Sequence, residues 1–315
     1  MRTPTLTANV GDDRVSITCG HRVLLLATSL LTLTLVILGG VVCITDSSRG
    51  CPDWPACYGQ LVPPLRIDSI LEYTHRVTAA LTSLLIVASA VVGWRRARSL
   101  RWVRWPPLVA IGFLLAVSAF GALVVLRGLS PGLAALDLGS ALMVLALMVT
   151  ATTVAFARHG NPDPPGRLSL GDPLARLALG TLILVFLVLV SGVLVAASGS
   201  PLRCLGWPLY GGGWPVAEGR QGLQLARRVA AGIATVLVLV LVVQAWRQRP
   251  RSIPIRYTAA VMGTLFLAEI LVGGLMLLSE PGLGLQIVHA ALAAGFWATL
   301  VALVVLLGLA RAVRE

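Results

Sequence analysis

The sequence predicts an all-α membrane protein: eight transmembrane helices forming two tandem four-helix bundles, related by a pseudo-two-fold axis along the membrane normal. Three observations predict it. Hydrophobic residues make up 57% of the 315-residue chain and charged residues only 12%, with a mean hydropathy of +0.88. Apolar runs long enough to cross a bilayer, about 20 residues, recur eight times. Finally, the chain repeats itself with a register of about 152 residues. Cys51-Pro-Asp-Trp-Pro-Ala-Cys57-Tyr-Gly59 followed by Glu72-Tyr-Thr-His75-Arg76 corresponds to Cys204-Leu-Gly-Trp-Pro-Leu-Tyr210-Gly-Gly212 followed by Gln224-Leu-Ala-Arg227-Arg228. The offsets are 204 − 51 = 153 and 227 − 75 = 152, as expected for a duplicated membrane unit.

The spans read at 23–45, 69–94, 106–127, 132–157, 174–198, 222–246, 255–278 and 283–310. A polar segment, 1–22, precedes the first, and together they are too extended for a cleaved signal peptide. The first bundle covers 23–157 and the second 173–310. The linker 158–172 between them contains His159-Gly-Asn-Pro-Asp-Pro-Pro-Gly166, a Pro- and Gly-rich break, and 311–315 is a short tail. Four spans per unit is an even number, so both units cross in the same sense, as a parallel rather than an inverted repeat.

All 25 basic residues are arginine, and the net charge is +12. The arginines gather where topology needs them rather than in a nucleic-acid footprint. Arg95, Arg96, Arg98, Arg101 and Arg104 follow span two, and Arg247, Arg249, Arg251 and Arg256 follow span six. By the positive-inside rule these connections are cytoplasmic, with both termini and the linker, and the Trp-Pro loops face outward. Nucleic-acid binding is excluded, and no room remains for a soluble domain.

Ionisable residues inside spans are costly and mark function by default. Glu72 and His75 lie three residues apart on one helix and share a face. An imidazole with an acid one turn away can ligate a metal or haem iron and manage a proton. The same pair also reads as an interfacial helix start, with Glu72 favouring the helix dipole. His289, among small residues near the start of span eight, is either a ligand or a bundle-interior histidine satisfied by a neighbour. Cys51 and Cys57, on the oxidising face, can close a small loop over the outer mouth, and a redox role is open. Cys19 and Cys43 carry no signal, while His21 and His159 read as solvated residues of cytoplasmic segments. Gly39-Gly40, Gly121, Gly192 and Gly273-Gly274 read as helix-packing positions.

A Gly-rich first span, then Cys-Pro-Asp-Trp-Pro-x-Cys-x-Gly, then Glu-x-x-His-Arg opening the second span resembles the haem A synthase family over essentially the whole chain. That resemblance implies oxidation of the methyl group of haem O to the formyl group of haem A for terminal oxidase biogenesis. It implies a first bundle holding haem O and a second holding an electron-passing haem b. Carried over residue by residue, His75 is an iron ligand in the first bundle, Glu72 the catalytic acid, Cys51–Cys57 the outer disulfide and His289 the haem b ligand of span eight. Arg76 and Arg228, next to the ligand positions, are candidate propionate partners. Implied partners are a haem O synthase, the assembling terminal oxidase and an electron donor of unknown identity, in a bacterial plasma membrane. A homo-oligomer is compatible with the sequence.

Two departures from that pattern stand out. The repeat partner of His289 is 289 − 152 = 137, which is Asp137, and the partner of His75 is Arg227. Arginine offers iron no lone pair, so a bis-histidine haem b is unavailable and a five-coordinate haem on His289 remains. The leading expectation is a haem A synthase-like oxidoreductase with altered ligation. A non-catalytic haem-binding or electron-transfer protein on the same scaffold is the second. A small-molecule transporter ranks last; it would use polar positions such as Asp137, Arg227, Arg228 and Glu269.

Overall fold

A computed structural model describes residues 17–53, 56–60, 62–128, 130–158, 168–195, 221–278 and 282–310. The second Trp-Pro loop with Cys204 and Tyr210, His159 and most of the linker lie outside the described residues. Among the described residues the chain forms eight α-helices: α1 Cys19–Ile44, α2 Ile67–Arg96, α3 Arg101–Arg127, α4 Pro131–Ala157, α5 Pro173–Val195, α6 Gln221–Gln248, α7 Ile253–Leu278 and α8 Leu283–Ala310. All eight are long and apolar enough to span a membrane. A single 3₁₀ turn, Ser47–Arg49, follows α1, and no strand occurs among the described residues.

Helix ends follow local chemistry more closely than hydropathy does. α1 starts at Cys19 because the Thr18 hydroxyl accepts from the His21 backbone N–H, an N-cap. His21 therefore lies inside α1 and is only 4% exposed, which corrects its reading as a solvated terminal residue. α4 begins with Ser130 as cap and Pro131 in the first turn, where a missing N–H costs nothing. α3 begins five residues before the apolar run and carries Pro106 and Pro107 inside it. Trp94 of α2 meets Trp105 of α3 edge to face at 5.9 Å, with the Arg104 guanidinium over both rings, so aromatic and cation–π contacts hold this end together. Consequently Arg95, Arg96, Arg101 and Arg104 sit on helix ends, and only Arg98 occupies the connection itself.

Sequential helices pack on one another, α1 also meets α4, and α5 meets α8. The two sets join where α4 and α1 contact α8 and α4 contacts α5. The larger core gathers Leu142, Leu145, Val238, Leu241, Met262, Trp297, Leu300 and Leu303, and a second gathers Leu25, Ile86, Val103, Met148 and Val154. In lipid the interior cannot be driven together by apolar burial alone, so small and hydroxyl-bearing residues contribute. Ser29 and Thr152 hydroxyls bond α1 to α4 at 2.7 Å, and Thr28 and Ser89 bond α1 to α2 at 3.1 Å. The indole Nε1 of Trp297 on α8 donates to the Leu142 carbonyl of α4 at 3.0 Å. The small-residue positions divide. A Cβ on Gly40 would lie 3.4 Å from Ala290 of α8, whereas Gly121 and Gly274 meet nothing within 4 Å.

Candidate functional site

The site at the start of α2 is built on an anchored loop. Cys51 and Cys57 are joined in a disulfide, and both are fully buried. Inside the loop, Asp53 accepts two backbone N–H bonds, from Tyr58 at 2.5 Å and Gly59 at 2.7 Å. These residues turn the chain through two consecutive positive φ angles, 57° and 65°. The Gly59 N–H first, with the Tyr58 N–H and the Arg76 charge adding, holds the Asp53 carboxyl below its ordinary range. The loop reaches α2 through Gly50. A side chain there would collide with the Asp68 carbonyl, and the Ser69 hydroxyl donates to the Gly50 carbonyl at 2.7 Å.

Arg76 ties this loop to the acid of the same helix. Its Nε donates to Glu72 Oε1 at 2.8 Å, four residues earlier. Its Nη1 donates to the carbonyls of Asp53 and Ala56, each at 2.6 Å, and Nη2 to the Cys51 carbonyl at 3.3 Å. Glu72 is 7% exposed. The planar fork of a guanidinium suits such a multi-acceptor role. The sequence pointed to Arg76 as a partner for a ligand carboxylate; the backbone carbonyls it serves carry no sequence signal.

His75 turns its Nε2 toward α1. A Cβ on Gly39 would stand 3.4 Å from that nitrogen, so the glycine keeps the approach to the imidazole clear of side chains. Asp137, on α4, is half-buried, and its Oδ1 has no hydrogen-bond partner. The imidazole nitrogen facing a glycine and the orphaned Asp137 oxygen supply the kind of donor set that an iron-centred ring would need in this half.

The second half places its residues differently. His289 of α8 is fully buried, and its Nε2 lies 3.4 Å from Oε1 of Glu269 on α7, itself 1% exposed. Arg227 of α6 is 5% exposed, and its Nε and Nη2 have no hydrogen-bond partner. Arg228 is exposed. Glu269, noted in the sequence only as a polar position, is the group facing His289; a contact between residues 20 apart on different helices leaves no local pattern. These residues do not fit a bis-histidine haem b: one side offers no lone pair, and on the other a carboxylate stands against the imidazole.

The two sites are neighbours through α1. Gly39 faces His75 and the next residue, Gly40, faces Ala290, which adjoins His289. The structure also records Cys43, near the C-terminal end of α1, in a disulfide, which corrects its reading as an unremarkable residue. Cys19 is a free, exposed thiol.

The sequence matches the cytochrome oxidase assembly protein family over residues 22–301. Among similar proteins, one named heme A synthase from Halalkalibacterium halodurans is 33% identical over 150 residues, 46% of this chain and 50% of that protein. Another of that name, from Staphylococcus aureus (strain bovine RF122 / ET3-1), is 26% identical over 265 residues, 82% of this chain and 86% of that protein.

Proposed function

Because the chain belongs to the cytochrome oxidase assembly protein family, we propose that it is a haem A synthase-type membrane oxidoreductase acting on haem O. The observation that carries this reading is the cluster of His75, Glu72, Arg76 and the closed Cys51–Cys57 loop at one end of α2, opposite Gly39. In it, haem O enters the first bundle with its iron on His75 and the methyl group to be oxidised near Glu72. Two successive hydroxylations turn the methyl into a gem-diol, which loses water to the aldehyde. Each hydroxylation consumes one O₂, two electrons and two protons and releases one water, and the electrons come from a donor outside this chain.

The chain's own residues have distinct tasks. His75 orients the substrate; Gly39 admits it; Glu72 holds or delivers a proton at its carboxyl oxygens close to the ring edge; the apolar walls keep bulk water away. Asp137, on the helix that contributes a histidine in the family pattern, accepts a hydrogen bond on the opposite face of the substrate. In the second half His289 would hold a haem b, which would supply one-electron relay chemistry. The Arg76 donors already serve Glu72 and the loop, so among the two candidate propionate partners Arg228 keeps its fork available. The protein sits in the plasma membrane with the disulfide loop outside, between a haem O synthase that supplies substrate and the oxidase that receives product.

The test is co-expression with a haem O synthase in a host lacking haem A, followed by haem extraction and chromatography. Haem A or its hydroxylated precursor is expected. Recovery of haem O and haem b alone supports the second reading, a haem-binding protein on an enzyme's scaffold, which Asp137 and Arg227 in place of histidines favour.

A further inference from the structure

Arg76 makes contacts in two directions that the reaction alone does not require. Through Nε it fixes Glu72, and through Nη1 and Nη2 it gathers carbonyls from Cys51, Asp53 and Ala56, three points of the loop that the disulfide closes. The three carbonyls converge on one planar guanidinium, and the Cys51–Cys57 bond holds the loop ends together. The loop also packs closely on the start of α2, because the Gly50 backbone lies against the Asp68 carbonyl where a side chain would collide, and the Ser69 hydroxyl donates to the Gly50 carbonyl. Glu72, with Arg76 as its hydrogen-bond donor, therefore has its position set by a cation whose own position is set by the closed loop.

We propose that Arg76 is the positioning residue of Glu72, and that through it the placement of the Glu72 carboxylate depends on the redox state of the Cys51–Cys57 disulfide. Reduction breaks the S–S bond. Two electrons and two protons from an external dithiol produce two cysteine thiols, and the reductant closes to its own disulfide. The loop carbonyls then leave the guanidinium, and Arg76 and Glu72 relax together. The site would thus be competent only when an outer-face thiol–disulfide couple is oxidised. The regulatory meaning rests on Glu72 acting in the reaction proposed above, but the coupling is measurable without turnover.

Coupling between two sites is reciprocal. If the disulfide positions Glu72, then altering Glu72 alters the disulfide, although the two do not touch. The experiment equilibrates the full-length protein in detergent with graded oxidised and reduced dithiothreitol and counts Cys51 and Cys57 thiols by alkylation and mass spectrometry. Glu72→Gln keeps shape and removes the charge that orients Arg76, and it should move the equilibrium constant toward the dithiol by roughly five-fold or more. Arg76→Gln should move it in the same direction at least as far, and Arg76→Lys should not restore it, because an ammonium lacks the fork. Asp68→Asn, which removes a neighbouring surface charge paired with Arg66, should leave it unchanged.

A shift with Arg76→Gln but none with Glu72→Gln would overturn the proposal, since Arg76 would then merely clamp the loop. Wild-type equilibria in both variants would overturn it as well. A wild-type protein that forms no haem A yet shows the Glu72 shift would defeat the proposed reaction while leaving the coupling in place.

Discussion

Glu269 Oε1 lies 3.4 Å from His289 Nε2, both side chains being essentially removed from solvent. A buried acid beside an imidazole holds that ring in orientation, and here it stands against Nε2. With Arg227 at the register position of a histidine, the second half holds one buried imidazole, one buried acid and one buried guanidinium, a costly set to leave in hydrocarbon. Arg227→His should therefore create a low-spin, six-coordinate haem signal with His289, and adding Glu269→Gln should raise its fraction by freeing Nε2. Optical and EPR spectra of the purified variants decide it. Spectra identical to wild type in both would show that positions 227 and 289 do not share a haem.

His75 should be indispensable for holding substrate. In His75→Ala, the haem O that co-purifies after co-expression with a haem O synthase should fall to background, with thermal stability in detergent close to wild type because the side chain is only half-buried. Retained haem O with an unshifted absorption band would remove His75 as a ligand.

Glu72→Gln separates binding from chemistry. The amide keeps hydrogen-bonding capacity and volume, so haem O should still bind, while haem A formation should drop by about 10²–10⁴-fold, the usual worth of a positioned acid or base. Chromatography of extracted haems gives both numbers from one sample. Full conversion would take Glu72 out of the mechanism.

Asp53 supplies a pH dependence with a definite sign. Its carboxyl lies below the ordinary value of 3.8 because the ionised form accepts the Gly59 and Tyr58 N–H groups. A depressed folded value means that the stabilisation is fully present above 3.8 and is lost as pH falls through the lower folded value. Reduction of Cys51–Cys57 by a phosphine, which works in acid, should be slow and flat at neutral pH and accelerate only below pH 3.8. Asp53→Asn should be fast throughout. If the two proteins share one acid profile, the Asp53 carboxylate does not hold the loop.

The spans were legible in the sequence because lipid imposes length and hydropathy on any helix that crosses it. The ends were not. α3 begins at Arg101 rather than at the apolar run, since stacking of Trp94, Trp105 and Arg104 stabilises a polar turn that hydropathy discounts. The Cys51–Cys57 pair was recognisable from its spacing and resemblance, and Glu72 and Arg76 from their motif. What Arg76 does was hidden, because its acceptors are main-chain carbonyls and every residue has one. Glu269 was hidden for the opposite reason. Its partner is a single side chain on the next helix, and no periodicity announces a contact between two helices.

The Trp297–Leu142 hydrogen bond has a consequence in time. α8 packs against α1, α4, α5 and α7, and every one of those helices is made before it. Until α8 is inserted, the Leu142 carbonyl, the core that Leu145 and Leu241 share with Trp297 and Leu300, and the face of α1 at Gly40 await their partner. During synthesis the earlier helices must wait in the bilayer as an open assembly, exposed to quality control, and the first half acquires its finished shape only when the second half has been translated.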